Sequence, residues 1–184
     1  KLIIPDSKPN SFNISPVEFE KAITPKTRAA VLTHLGGQAI DLDPIIEIAK
    51  SKNIKIVEDC SQAHGTIYKG KKVGTFTEIS ASSTMCSKTL TSGGNGGIVF
   101  TKNEELYWYA RSLADRGKPF TDPDYHFRMT TNNLYPALNY NSDELSCAMG
   151  ISSLNKSPSS TQKKKYFSLI KNIKNKNDLI NYKY

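Results

Sequence analysis

A lysine and an aspartate are the residues of this sequence that could best do chemistry together. Lys88 follows a run of small polar residues at 82–87 and precedes a glycine cluster at 93–97. Asp59 lies 29 residues before it, directly after an apolar run that begins at Ile54. A deprotonated lysine amine can form a Schiff base with a carbonyl compound, and a carboxylate can hold a proton on a pyridine nitrogen. The pair therefore predicts a site for pyridoxal 5′-phosphate (PLP).

The surroundings of both residues suit this chemistry. The apolar run predicts a buried strand, and ligand crevices in open α/β sheets lie at the carboxyl ends of strands. Gln62 could donate a hydrogen bond to the phenolic oxygen of the ring, and Ser83 offers a hydroxyl to a phosphate. Two alternatives stay open. Asp59 could instead cap a short helix or close a turn, and Lys88 could be an ordinary solvated lysine, because serine and lysine are common at any spacing.

Three further residues are weaker candidates. His64 could act as an acid, a base or a stacking group near the cofactor, or it could simply bond to backbone in a turn before glycine. His34 could line the same crevice, although packing or structural hydrogen bonding is the alternative that we favour. Asn139 precedes the amino end of a predicted helix, where phosphate binds well, but a cap or turn role is the default for asparagine.

Composition excludes several classes of protein. The chain has 184 residues, of which 38% are hydrophobic, so it is long enough for one globular domain with a core. It shows neither a membrane span nor a signal peptide, and its three cysteines lack metal-site spacing, which predicts a cytoplasmic protein with reduced thiols.

The net charge of +8 is concentrated in residues 156–184, which contain eight lysines and one acidic residue. A solvated helix explains this tail better than nucleic-acid binding, because no aromatic stacking ladder or nucleic-acid motif accompanies it.

Alternating elements predict an α/β fold. A strand at 28–33, a helix that opens at Asp43-Pro44 and a strand at 54–57 make one strand–helix–strand unit, which favours parallel pairing. Ser15-Pro16 predicts an earlier helix start. The remaining expectations are strands at 79–84 and 97–101, helices that begin after Asn103 and Asp143, and a long ordered loop over 117–137.

Several spaced motifs occur in a family-specific order. They are E-D-x-x-Q-x-H-G at 58–65, Y-K-G-K-K-V-G-x-F at 68–76, S-x-x-x-x-K-x-L-x-x-G-G-x-G-G at 83–97 and N-Y-x-x-x-E-L at 139–145. In this order the sequence resembles the DegT/DnrJ/EryC1/StrS family of PLP-dependent sugar aminotransferases. The resemblance implies that residues 1–155 are part of the large domain of a fold-type I PLP enzyme, with a mostly parallel sheet flanked by helices. Residues 156–184 would be a basic helical tail or a connection to a small domain.

The resemblance also implies a role for each candidate residue. Lys88 would form the Schiff base with PLP and move a proton between substrate and cofactor carbons. Asp59 would bind the pyridine nitrogen, Gln62 the ring hydroxyl and Ser83 the phosphate. Asn139 would reach the phosphate in the neighbouring subunit, because the family forms homodimers with shared sites.

The implied reaction moves an amino group, usually from glutamate, to a keto-sugar carried on a nucleoside diphosphate, in the biosynthesis of surface or secondary polysaccharides. Relatives with histidine at the Schiff-base position dehydrate their substrate instead, so Lys88 favours transamination. Family members are about twice as long as this chain, and the usual arginine two residues after the asparagine is Asn141 here. The alternative is therefore a truncated, catalytically incompetent relative with a non-enzymatic role.

Overall fold

A four-stranded sheet organises the chain. The computed structural model describes residues 1–126 and 133–156. The strands stand in the order β1-β2-β5-β6, and a separate two-stranded hairpin, β3-β4, lies between β2 and β5 in the sequence. The strands are β1 (Ala29–Thr33), β2 (Lys55–Asp59), β3 (Ile67–Tyr68), β4 (Lys71–Lys72), β5 (Ile79–Ser83) and β6 (Gly97–Thr101).

Local capping signals explain where α1, α3 and α4 begin. The Ser15 side chain accepts a hydrogen bond from the backbone N–H of Glu18, and Pro16 takes the first helical position. Asn103 and Asp143 cap two later helices in the same way, as their sequence positions predict. The helices are α1 (Pro16–Ala22), α2 (Leu42–Ser51), α3 (Glu104–Ala114) and α4 (Glu144–Asn155).

The sheet is mostly parallel, as the sequence predicts. β1 pairs with β2 in parallel, from Ala29 opposite Lys55 to Thr33 opposite Asp59. β2 pairs with β5 in parallel, with Asp59 opposite Ala81. β6 runs antiparallel to β5, because a loop returns the chain directly instead of crossing over the sheet. The carboxyl ends of β1, β2 and β5 therefore lie at one edge of the sheet, which we call the candidate edge.

One face of the sheet is covered over β1, β2 and β5. Side chains alternate between the two faces of a strand, and laterally paired residues share a face. Leu32 and its partner Glu58 are both buried on the face that carries the core. Helix α2 supplies the opposing apolar side chains, and Phe19 of α1 joins them. The buried apolar residues are Phe19, Leu32, Ile40, Leu42, Ile45, Ala49, Ile54, Cys60, Ala63 and Val73.

The other face, which we call the open face, exposes apolar side chains. Val31 of β1 is 68% exposed and Val99 of β6 is 54% exposed. Helix α4 likewise exposes the residues that its sequence places at helical spacing, including Leu145 at 79%. The helix expected after Asp143 is confirmed, and its large apolar side chains are exposed within the described residues. Helical spacing specifies a stripe, and only the tertiary structure decides whether something covers it.

Two sequence expectations fall partly or wholly outside the described residues. The predicted long loop over 117–137 has no regular helix or strand where it is described, and 127–132 lie outside that part. The lysine-rich tail lies outside it from residue 157 onward. Within the described ranges, none of the helices combines the length and the apolarity that crossing a bilayer requires.

Candidate functional site

Asp59 ends β2 with its carboxylate held by two neighbours. Its Oδ2 accepts a hydrogen bond from the hydroxyl of Thr33 at 3.3 Å, and its Oδ1 accepts one from the backbone N–H of Ser61 at 2.9 Å. The second bond closes a turn, which is the alternative role that the sequence left open. The two roles are compatible, because the turn bond engages one carboxylate oxygen and fixes the direction of the other.

Ser83 shares the face of Asp59. Asp59 lies opposite Ala81 in the paired strands β2 and β5, and Ser83 lies two residues further along β5. A step of two residues returns a side chain to the same face of a sheet. Asp59 and Ser83 therefore lie on the open face and at the candidate edge, where the loop that carries Lys88 begins.

Backbone hydrogen bonds hold the loop between β5 and β6 in a defined conformation. Beyond the last strand pair, the backbone N–H of Thr84 donates to the carbonyl of Gly96 at 2.9 Å, and that of Cys86 donates to Gly94 at 2.8 Å. The N–H of Lys88 donates to Met85 at 2.9 Å, which makes a turn at the lysine. We call residues 84–96 the lysine loop. Its ladder of backbone bonds gives half-buried Lys88 a defined place five residues beyond Ser83.

Buried hydroxyls close the base of the lysine loop. The Ser92 hydroxyl lies 2.9 Å from the carbonyl oxygen of Thr84 and 3.0 Å from the Thr84 hydroxyl. A Cβ atom at Gly96 would come within 2.5 Å of the Thr84 hydroxyl and 2.6 Å of the Ser92 hydroxyl, so only glycine fits there. The loop also contacts α4, because the N–H of Thr91 donates to the hydroxyl of Ser153 at 3.0 Å.

Gln62 and His64 follow Asp59 at the candidate edge. The side-chain oxygen of Gln62 accepts a hydrogen bond from the backbone N–H of Gly36 at 2.8 Å. This bond uses the acceptor end of the amide, and the NH₂ end is the donor that a ring hydroxyl requires. Gly36 has a φ of 61°, which a glycine adopts without strain. His64 is half-buried in the turn that follows.

His34 lies inside the protein and away from the open face. It is fully buried, its Nε2 lies 3.2 Å from a carboxylate oxygen of Glu58, and its Nδ1 accepts the backbone N–H of Ile40 at 3.2 Å. The structure thus places His34 in a hydrogen-bond network, which is the alternative that the sequence favoured over lining the crevice. Both ring nitrogens are occupied, so neither can bind a substrate.

His34, Glu58 and Cys60 together have the composition of a metal site. Their donor atoms all lie within 4.8 Å of one another. Their hydrogen bonds argue against metal binding, since both His34 nitrogens and both Glu58 oxygens already have partners. Burial, with the negative charges of Glu58 and Asp59, raises the pKa of the Cys60 thiol to about 12, so without a metal this thiol stays protonated near neutral pH.

Asn139 lies beside the carboxyl end of α3. Its backbone forms an isolated antiparallel bridge with Asp115, next to the end of α3. Its side-chain oxygen accepts the backbone N–H of Asn141 at 3.1 Å, which is the turn role that the sequence left open. Asp115 is buried and forms ion pairs with Arg116 and Lys118. These bonds fix the segment that leads into α4 and leave Asn139 on the surface.

An open hollow lies between α3 and the described part of the long loop. Its volume is about 250 Å³, and its lining includes the aromatic side chains of Trp108, Tyr109, Phe120 and Tyr135. None of the residues predicted from the sequence lines this hollow. The hollow therefore shares no lining residue with the predicted PLP site.

Comparison with known proteins assigns this arrangement to a family. The family model for the DegT/DnrJ/EryC1/StrS aminotransferase family matches residues 2–174. The chain belongs to the DegT/DnrJ/EryC1/StrS aminotransferase family. A curated member, GDP-perosamine synthase of Escherichia coli O157:H7, is 40% identical over 134 residues, which make up 70% of this chain and 36% of that protein. The family expected from the motifs is confirmed.

Solved structures of family members support the fold. The aminotransferase from Psychrobacter cryohalolentis has a TM-score of 0.75 and 32% identity, and the match covers 83% of this chain and 39% of that one. The E. coli GDP-4-keto-6-deoxy-D-mannose-3-dehydratase, solved with bound hydrated PLP, has a TM-score of 0.74 and 26% identity over 84% and 42% of the two chains. The predicted fold-type I architecture is confirmed. The chain spans about two-fifths or less of the length of these relatives.

The sequence did not reveal two residues, Thr33 and Glu58, that form hydrogen bonds at or directly behind the candidate edge. Thr33 ends β1 beside Asp59, and the shared ends of two parallel strands were the signal that could have paired them. Glu58 is fully buried although it is charged. A carboxylate inside a predicted buried strand, one residue before Asp59 and hence on the opposite face, was the available signal.

Proposed function

We propose that this chain forms the PLP-binding part of an aminotransferase that moves an amino group from glutamate to a keto-sugar carried on a nucleoside diphosphate. The observation that carries the proposal is the shared position of Asp59 and Ser83 on the open face, beside the loop of Lys88. A ring acid, a phosphate hydroxyl and a lysine amine at one edge of a sheet are the groups that PLP requires. The name of one structural neighbour, a dehydratase of GDP-4-keto-6-deoxy-D-mannose, agrees with this class of substrate.

The residues at the candidate edge fit this cofactor. Asp59 already accepts hydrogen bonds on both oxygens from a neutral hydroxyl and a backbone N–H, so its carboxylate is directed without being neutralised. It would hold the proton on the pyridine nitrogen. Gln62 would donate its NH₂ group to the ring oxygen, and the Ser83 hydroxyl would donate to the phosphate. PLP, when bound, supplies an electron sink for negative charge on the substrate carbon.

Lys88 would bind the aldehyde carbon of the cofactor and then carry a proton between substrate and cofactor carbons with its Nζ amine. The fold alone does not separate amino transfer from dehydration, because a dehydratase is among the structural neighbours. The lysine is what favours amino transfer, since its amine can accept and return a proton at the same place. His64, half-buried in the turn after Asp59, is a weaker candidate for contact with the substrate.

Three wider features belong to the same proposal. The protein would act as a homodimer in which exposed Asn139 reaches the phosphate in the neighbouring subunit. It would work in the cytoplasm, where nucleotide-sugars are made. Its product would enter a surface or secondary polysaccharide.

Absorbance spectroscopy of the purified chain with added PLP tests the proposal. We expect a band near the visible edge from lysine-bound PLP in the wild type, and its loss in Lys88→Ala. Lys102→Ala is the matched control, because this exposed lysine follows β6, which runs antiparallel to β5 and ends at the opposite edge of the sheet. The control should keep the band.

Equal spectra for the wild type and Lys88→Ala would refute the role of the lysine. In that case the alternative of a catalytically incompetent relative gains support. In the full-length protein, continued formation of 2-oxoglutarate from glutamate with a nucleoside-diphosphate keto-sugar, and no more than about one equivalent per site without the sugar, tests the reaction itself.

A further inference from the structure

A buried carboxylate lies on the face of β2 opposite to that of Asp59. Glu58 precedes Asp59 on β2, so its side chain points to the covered face, where it is fully buried. It accepts hydrogen bonds on both oxygens. The donors are the backbone N–H groups of Gly74, Phe76 and Thr77, the hydroxyl of Thr77, and the ring of His34.

Glu58 is held in its ionised form. Burial raises its pKa, but the hydrogen bonds from His34, Gly74, Thr77 and Phe76 outweigh burial, so that the pKa lies below its usual value. A buried, ionised carboxylate is costly unless every lone pair is satisfied. Such a group specifies one geometry for all of its donors, which an apolar side chain could not do.

The tautomer of His34 follows from its partners. Its Nδ1 accepts the N–H of Ile40, so the ring proton lies on Nε2 and is donated to Glu58. The imidazole is therefore fixed at both nitrogens inside the core. Because the side chain cannot turn, the backbone of residue 34 is held in place as well.

That backbone contacts Asp59. The N–H of His34 donates to the carbonyl of Asp59 at 3.0 Å, and the hydroxyl of the preceding residue, Thr33, donates to the Asp59 carboxylate at 3.3 Å. We propose that Glu58 and His34 are positioning residues, which clamp the end of β1 from the covered face so that Thr33 directs the Asp59 carboxylate on the open face. The importance of this direction for PLP binding rests on the proposed function.

Amide hydrogen exchange and PLP binding in matched variants test the clamp. In Glu58→Gln we expect the amide of His34 to exchange about tenfold faster than in a control variant of equal global stability, because the loosened ring releases its backbone. We expect the dissociation constant for PLP to rise by about tenfold as well, as for a misdirected binding group. The control is Leu42→Ala, or the milder Ile45→Val, since both residues are fully buried in α2 and neither side chain bonds to Asp59.

A second pair of variants keeps the test decisive if Glu58→Gln does not fold. His34→Gln keeps an N–H donor for Glu58, so the backbone amide of residue 34 should exchange as slowly as in the wild type. In His34→Leu, which has no such donor, this amide should exchange faster. The clamp is refuted if exchange at residue 34 follows global stability alone in every variant. The measurement of amide hydrogen exchange needs no cofactor. A wild-type chain that shows no Lys88-dependent PLP band would therefore overturn the proposed function, and the exchange rate at residue 34 would still test the clamp.

Discussion

Removing the Ser92 hydroxyl should destabilise the lysine loop. Ser92 is 8% exposed, and its hydroxyl lies within hydrogen-bond distance of the Thr84 carbonyl (2.9 Å), the Thr84 hydroxyl (3.0 Å) and the Asn95 carbonyl (3.2 Å). Ser92→Ala deletes this hub and keeps the backbone bond from Ser92 to Thr84. The change therefore tests side-chain closure of the loop that carries Lys88.

The expected cost follows from burial. The variant leaves the buried hydroxyl of Thr84 without the partner that it has in the wild type, and an unsatisfied buried group costs about 1–3 kcal/mol. A loss of about 2 kcal/mol in the free energy of unfolding lowers Tm by about 4–8 °C in a chain of this length. We also expect weaker PLP binding, because the loop that places Lys88 is no longer fixed at its base.

Urea unfolding and thermal melting measure the loss, and Ser87→Ala is the control. Ser87 lies in the same loop but is exposed, and its hydroxyl contacts only the sulfur of Met85 in the described structure, at 3.4 Å. Its removal should change stability by less than about 0.5 kcal/mol. A Ser92→Ala protein as stable as the wild type, or one no weaker than Ser87→Ala, would refute the role of the buried hydroxyls.

Acid should destabilise the protein partly through Glu58. Its pKa is lower in the folded state than when unfolded, so its stabilisation is present above the unfolded pKa of about 4.5 and is lost as pH falls through the folded pKa. Urea unfolding from pH about 6 down to about 2 should show this loss, and an acid limb that is unchanged in Glu58→Gln would contradict it. Thiol labelling should separate the cysteines: exposed Cys86 and Cys147 should react in the native protein, whereas Cys60 should react only after unfolding, because it is buried and its pKa is raised to about 12. Fast native labelling of all three would contradict the burial of Cys60.

The elements of the fold could be predicted because their signals are local. Ser15 with Pro16, Asn103 and Asp143 each start a helix through bonds within the next turn, and the structure shows those bonds. Strands β1, β2 and β6 were likewise predicted from apolar runs, whereas β5 is rich in serine and its signal in the sequence is weaker. The burial of α4 could not be predicted, because a helical stripe shows no sign of what, if anything, covers it, and here Leu145 and its neighbours are exposed.

The candidate site divides in the same way. Asp59, Ser83 and Lys88 were found from residue type and spacing, since chemistry requires an acid, a hydroxyl and an amine whatever the packing. The role of His34 was not settled by the sequence. Its position after a strand suited either a crevice or a core, and only its bonds to Glu58 and Ile40 place it in the core.

The sequence by itself determined which residues can act, the order of the elements and the family. The tertiary structure decided which face each residue serves. Glu58 and Asp59 are adjacent carboxylates of nearly equal chemistry, and alternation along a strand sends them to opposite faces. Helix α2 packs on one face, so Glu58 becomes a buried hub, while Asp59 lies on the face that stays open for a ligand. That choice depends on packing between residues far apart in the chain, which no local pattern contains.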